Sequence, residues 1–108
     1  MEKEMMQEVV DGLLAIMGNL LVRIVLYGSA ASGIQNEESD IDIALLINGT
    51  LDDELEDKLS DFIVDMNLKY DKVFSVIDIE YEQFKKWEKV LPFYQNMSRK
   101  GIVLWKAA

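Results

Sequence analysis

Residues 21–29, LVRIVLYGS, and residues 40–47, DIDIALLI, separated by ten small or polar residues, decide how this chain folds. Leu21 to Tyr27 is a short β-branched run closed by Gly28, which predicts a buried strand. Asp40 to Ile47 predicts a second strand. Its alternation puts Asp40, Asp42, Ala44 and Leu46 on one face and Ile41, Ile43, Leu45 and Ile47 on the other. Between them, residues 29–39 (SAASGIQNEES) form a loop with room for one helical turn at its start.

Outward from this pair, residues 2–17 carry Met5, Met6, Val9, Val10, Leu13, Leu14 and Met17 at helical spacing, stopped by Gly18 and Asn19. After the second strand, Asn48 and Gly49 make a turn. Thr50, with Asp53 three residues on, predicts an N-cap for a helix reaching about Tyr70. Residues 73–79 predict a third strand, with Phe74, Val76, Asp78 and Glu80 on one face. Tyr81 to Val90 reads as a helix, Pro92 opens another, and Gly101 precedes a short apolar run, IVLW. The order α, β, β, α, β, α, α predicts a single α+β domain over residues 1–108. Its architecture is two-layer, with helices packed against one small mixed sheet.

Composition narrows the chemistry. The 108 residues include no Cys and no His, which excludes disulfides, zinc sites of the usual ligands, and imidazole-based catalysis. A net charge of −9 repels a phosphate backbone, so direct nucleic-acid binding is not expected. The charge is uneven: residues 1–71 hold 4 basic and 16 acidic side chains, residues 72–108 hold 7 basic and 4 acidic. No apolar run is long enough to span a membrane, and MEKEMMQEV resembles neither a signal nor a transit peptide; a cytoplasmic location is the expectation.

Two aspartates at i and i+2 on a strand share a face, with α-carbons roughly 6.5 to 7 Å apart, so Asp40 and Asp42 can converge on the same ions. Carboxylates without His or Cys suit Mg²⁺, which combines one or two of them with substrate phosphates; two ions are the expected number. Gly28 lets backbone approach a phosphate closely, and Ser29 supplies a hydroxyl donor if it opens a helical turn. Asp78 on the third strand is the expected third carboxylate, lying beside Asp40 and Asp42, with Glu80 as its alternative. Taken alone, each has a plainer explanation: solvated carboxylates at a strand end, and an ordinary N-cap at Ser29.

The combination of Gly28-Ser29, ten residues, Asp40-x-Asp42 and a later Asp on a strand resembles the minimal nucleotidyltransferases of the polymerase-beta-like superfamily. LYGSAASG is similar to that family's strand-to-helix turn, ESDIDIALLI to its metal-binding strand, and VIDIEYEQF to its third-carboxylate strand. Family members often carry Arg before the second loop Gly; here the position is Ser32. The C-terminal stretch FKKWEKVLPFYQNMSRKGIVLW resembles the endings of small bacterial members encoded beside a HEPN-domain partner, a group that acts as antitoxins. The resemblance implies a palm-type nucleotidyltransferase fold and transfer of AMP, from ATP or another NTP, onto a hydroxyl of a HEPN-domain toxin. A homo-oligomer also stays open.

Two other classes compete: a binding module that neutralises its partner by forming a complex, and nucleotidyl transfer to a small molecule, for which no substrate domain is visible. Trp87, Trp105, Phe84, Phe93 and Tyr94 read as core or partner-facing anchors. Lys85, Lys86, Lys89, Arg99 and Lys100 read as a solvated face; the sharper alternative has one of them reaching nucleotide phosphates or an acidic patch on a partner.

Overall fold

The computed structural model describes residues 3–28 and 40–108. Ser29, Ser32, Gly33 and the expected helical turn of the loop lie outside the described residues. Helix α1 (Lys3–Met17) buries Met5, Val9, Val10, Leu13 and Met17 of the stripe its spacing predicts, while Met6 and Leu14 are half-buried at its margin. Gly18, at φ +55, lets the chain leave the helix, and a 3₁₀ turn over Gly18–Leu20 feeds strand β1 (Leu21–Tyr27).

Strand β2 (Ile41–Ile47) runs antiparallel to β1, and β3 (Phe74–Glu80) runs parallel to β2. The run after Gly101, expected only as an apolar stretch, is a fourth strand, β4 (Ile102–Lys106), antiparallel to β1. The sheet order is β3-β2-β1-β4, so β1 and β2 occupy the centre. A β-carbon at Gly101 would strike the Met97 carbonyl oxygen and lie 2.7 Å from the Val25 side chain. Glycine there lets the preceding helix end hard against β1, and the chain turns directly into pairing.

Helix α2 (Asp53–Tyr70) crosses from β2 to β3. Its N-cap is Asp52, not Thr50: the Asp52 carboxylate accepts a hydrogen bond from the Leu55 N–H at 2.8 Å. A carboxylate suits that place better, because its full charge faces the positive end of the helix dipole. At the other end, Asp71 adopts the left-handed conformation and Asn67 Oδ1 accepts from the Phe74 N–H at 2.8 Å. The Ile41 N–H donates to the Val73 carbonyl at 2.8 Å, which locks the start of β2 to the start of β3.

The two faces of the sheet are covered differently. Ile24, Leu26, Ile41, Ile43, Leu45, Ile47 and Phe74 pack against α1 and α2, where Leu13, Leu59 and Met66 complete the core. Val25, Ala44 and Leu46 face the other way, beneath Phe84 of helix α3 (Tyr81–Trp87) and Met97 of helix α4 (Pro92–Lys100). Helix α3 stops at Trp87, short of the expected Val90, because Pro92 holds Leu91 extended; the Val90 and Leu91 N–H groups both return to the Trp87 carbonyl. The small mixed sheet flanked by helices is the α+β class the element order predicts. Asp42 lies at the start of β2 opposite Tyr27, which packs against this second cluster.

Candidate active site

Tyr27 pairs with Asp42 across the β1–β2 ladder, so the end of one central strand meets the start of the other. Gly28 follows at φ +72, in the left-handed region that β-carbons disfavour. An ideal β-carbon built on Gly28 would collide with Oδ2 of Asp42 and lie 3.3 Å from its Cγ. The carboxylate of Asp42 thus occupies the space that the absent side chain leaves. Strand β2 provides this because Asp42 alternates with Ile41 and Ile43, both fully buried in the main core. The same pull that buries those isoleucines turns Asp42 to the open face.

Asp40 stands exposed just before β2, and its charge is felt. Burial first, and then the negative charge of Asp40, push the Asp42 carboxyl above its ordinary value. Burial, and secondarily Asp42, likewise push the Tyr27 hydroxyl above the usual phenol value, so it stays protonated and able to donate. Among the described residues the ion pairs are Lys58 with Glu54, Lys69 with Glu8 and Lys85 with Glu82. None compensates Asp40 or Asp42. Two carboxylates that repel one another without a cation among the described residues form a donor set suited to a hard divalent ion. Mg²⁺ fits, since it takes one or two protein carboxylates and fills its remaining sites with water and phosphate oxygens.

Asp78 does not join them. In the parallel β2–β3 ladder Asp42 lies opposite Ser75, and Asp78 lies opposite Leu45, about 10 Å farther along the strand. Parity separates it as well: Phe74 and Val76 pack into the main core, so Asp78 alternates onto that face, away from Asp42. It lines a separate shallow cleft with Ile79, Glu80, Gln83 and Tyr94. Glu80, the alternative, lies opposite Ile47 and is farther still. Among the described residues no group of three or more Asp or Glu converges. The β3 residue facing the site is Ser75, which the sequence did not single out.

A second cleft opens beside Gly28, lined by Tyr27, Phe93, Asn96, Lys100 and Gly101 among others. The sequence offers Phe93 as a core or partner-facing anchor and Lys100 as a solvated charge or a phosphate contact, and does not single out Asn96. Their spacing of three and four residues along one helix face was a visible signal, but it points to Gly28 only once β4 is known to pair with β1.

A family model described as "Polymerase beta, Nucleotidyltransferase" matches residues 16–107. The chain is 35% identical over 107 residues to the protein of Methanocaldococcus jannaschii named "Putative protein adenylyltransferase MJ0604", covering 96% of this chain and 98% of that one. Its fold is similar to a chain of a toxin-antitoxin crystal structure with AMP-PNP. The TM-score is 0.67 at 23% identity, over 94% of this chain and 73% of that chain. It is also similar to a chain in the complex of tri-AMPylated Shewanella oneidensis HEPN toxin with MNT antitoxin. There the TM-score is 0.63 at 20% identity, over 99% of this chain and 74% of that chain.

Proposed function

Because the chain belongs to the polymerase beta nucleotidyltransferase family, we propose that it transfers AMP from ATP to a hydroxyl of a HEPN-domain partner protein, as the antitoxin of a toxin-antitoxin pair. The observation that carries this is the Asp42 carboxylate seated over Gly28, with Asp40 beside it and no described cation paired to either. The relative named as a protein adenylyltransferase supports the donor and the protein acceptor, and the AMPylated HEPN toxin in a similar complex supports the partner.

In this proposal Asp40 and Asp42 are the catalytic carboxylates and hold two Mg²⁺ ions; Gly28, with Ser29 after it, positions the nucleotide phosphates. Held by these carboxylates, Mg²⁺ would supply the positive charge that neutralises the triphosphate and the attacking oxygen. The acceptor oxygen forms a bond to the α-phosphorus, the bond to the β-phosphate bridging oxygen breaks, pyrophosphate leaves, and the acceptor proton passes to water. Gly28 leaves room for the Asp42 carboxylate at the strand end, so that carboxylate can face the reacting phosphate where any side chain would displace it. Asp42, fixed by the pairing of Tyr27, sets where the reacting phosphate must sit. Asp78 takes no part at this distance. ATP as donor sets the reaction in the cytoplasm; no helix among the described residues is long and apolar enough to cross a membrane.

The test is intact-mass spectrometry of a HEPN-domain protein encoded beside this chain, after incubation with it, ATP and Mg²⁺. An adduct of AMP mass is expected, absent with Asp40→Ala combined with Asp42→Ala. No adduct, or one that survives both substitutions, overturns the proposal. One observation favours a second reading, neutralisation by complex formation alone: β3 brings no carboxylate to the site. Inhibition of the partner in the absence of ATP would favour it.

A further inference from the structure

A cleft of about 440 Å³ lies between the end of β1 and helix α4, within the size range of small-molecule sites. One wall is a single helix face. Phe93, Asn96 and Lys100 follow one another at three- and four-residue spacing, about 10 Å from first to last by the helical rise. The floor holds Tyr27, Gly28 and Gly101.

Each end has its own chemistry. At one, Phe93 is 45% exposed and its ring meets Tyr27 edge-on, centroids 5.5 Å apart at 83°. That leaves an aromatic surface for a planar ring. At the other, Lys100 has no carboxylate partner among the described residues. Its backbone is fixed by the next residue, because Gly101 sits tight between the Met97 carbonyl and β1. Between the two ends, Asn96 offers an amide donor and acceptor.

We propose that this cleft receives the nucleotide, its base against Phe93 and Tyr27, its polyphosphate within reach of Lys100, and its α-phosphate over Gly28 beside Asp42. The proposal rests on the nucleotidyltransferase reading of the Asp40–Asp42 site and adds residues to it that no part of the Asp-x-Asp pattern contains. Aromatic surface, amide and ammonium follow in the order base, sugar, phosphate. An ammonium with no carboxylate partner among the described residues holds a charged polyphosphate more strongly than a neutral acceptor hydroxyl. Stacking on an aromatic face tolerates any base, so Phe93 supplies affinity more than base choice.

The test is calorimetric titration of ATP, adenosine and inorganic tripolyphosphate, each with Mg²⁺, into the full chain and its variants. Phe93→Ala is expected to weaken ATP and adenosine about tenfold while leaving tripolyphosphate unchanged. Lys100→Gln is expected to weaken ATP and tripolyphosphate about tenfold while leaving adenosine unchanged. If both variants bind ATP as the parent does while Asp40→Asn with Asp42→Asn loses it, the nucleotide lies elsewhere and this proposal is overturned, with the transferase reading intact. If transfer of AMP to the partner survives the double Asp substitution, the transferase reading itself falls. If Phe93→Ala spares ATP binding and impairs only transfer, the cleft takes the acceptor and the proposal is wrong. Should Phe93→Ala fail to fold by circular dichroism, Phe93→Leu removes the ring face with less loss of volume and is read the same way.

Discussion

The carboxylate of Asp42 fills the place where Gly28 would carry a β-carbon. Neither residue is free to change without the other: the left-handed backbone at Gly28 opens the space, and the carboxylate uses it. Gly28→Ala is therefore expected to do two things at once. The φ of +72 costs an alanine about 1 kcal/mol or more, and the new methyl displaces Asp42. Nucleotidyl transfer should fall on the order of a hundredfold, with a modest drop in melting temperature. Kinetics and thermal denaturation on the same sample check both halves.

The three aspartates are expected to separate. Under the proposed function, Asp40→Asn and Asp42→Asn should each lower transfer on the order of a hundredfold or more, since each would remove a ligand of the ion proposed to neutralise the triphosphate. Asp78→Asn should stay within about twofold of the parent, because it lies on the other face of the sheet. Stability gives an independent check. The Asp42 carboxyl is raised in the folded state, so its ionised form opposes folding, and that penalty sets in as pH rises through the unfolded value towards the folded one. At neutral pH Asp42→Asn should melt no lower than the parent in the absence of metal. A clear loss of stability would contradict this.

Acid should loosen the tie between α1 and α2. Glu8 accepts hydrogen bonds from Lys69 at 2.7 Å and from the Tyr70 hydroxyl at 2.8 Å, and these two contacts, in that order, hold its carboxyl below the ordinary value. A depressed folded value contributes stability above the unfolded value and loses it as pH falls through the folded one. The melting-temperature difference between the parent and Glu8→Gln should shrink from pH 7 towards pH 3. Lys69 is raised by the same hydrogen bond, so its share is kept until strongly alkaline pH. A difference that grows on acidification would refute this.

The helix cap offers a clean comparison of two neighbours. Asp52→Ala should cost about 1 kcal/mol, and Thr50→Ala close to nothing, measured by denaturant midpoint. Equal effects would mean that the cap is not at Asp52.

The elements legible in the sequence are those whose pattern is local. The stripe of α1, the β-branched run of β1 and the strict alternation of β2 each announce one structure, and the helix from about 50 to 70 is plain even though its first residue is not. Asp42 beside Gly28 was also legible, since strand ends joined by a short loop must meet. What failed was pairing between distant segments. Asp78 shares parity with Phe74 and Val76, so its face could have been deduced from those apolar neighbours; its register could not, because it depends on the Ile41 to Val73 hydrogen bond and on Asn67 holding Phe74. The IVLW run carries strand-forming residues but nothing to say which edge it pairs with. With β4 unplaced, Phe93 and Lys100 had no route to the site.

The pairing of β1 with β4 joins segments far apart in sequence, and it has a kinetic side. Contacts so distant in sequence form late, so Lys100 and Gly101 reach the Gly28 end after the neighbouring strands β1 and β2 have paired. A nascent chain with β1, β2 and β3 already outside the ribosome still lacks one wall of the cleft. The cleft is thereby among the last features of the sheet to assemble.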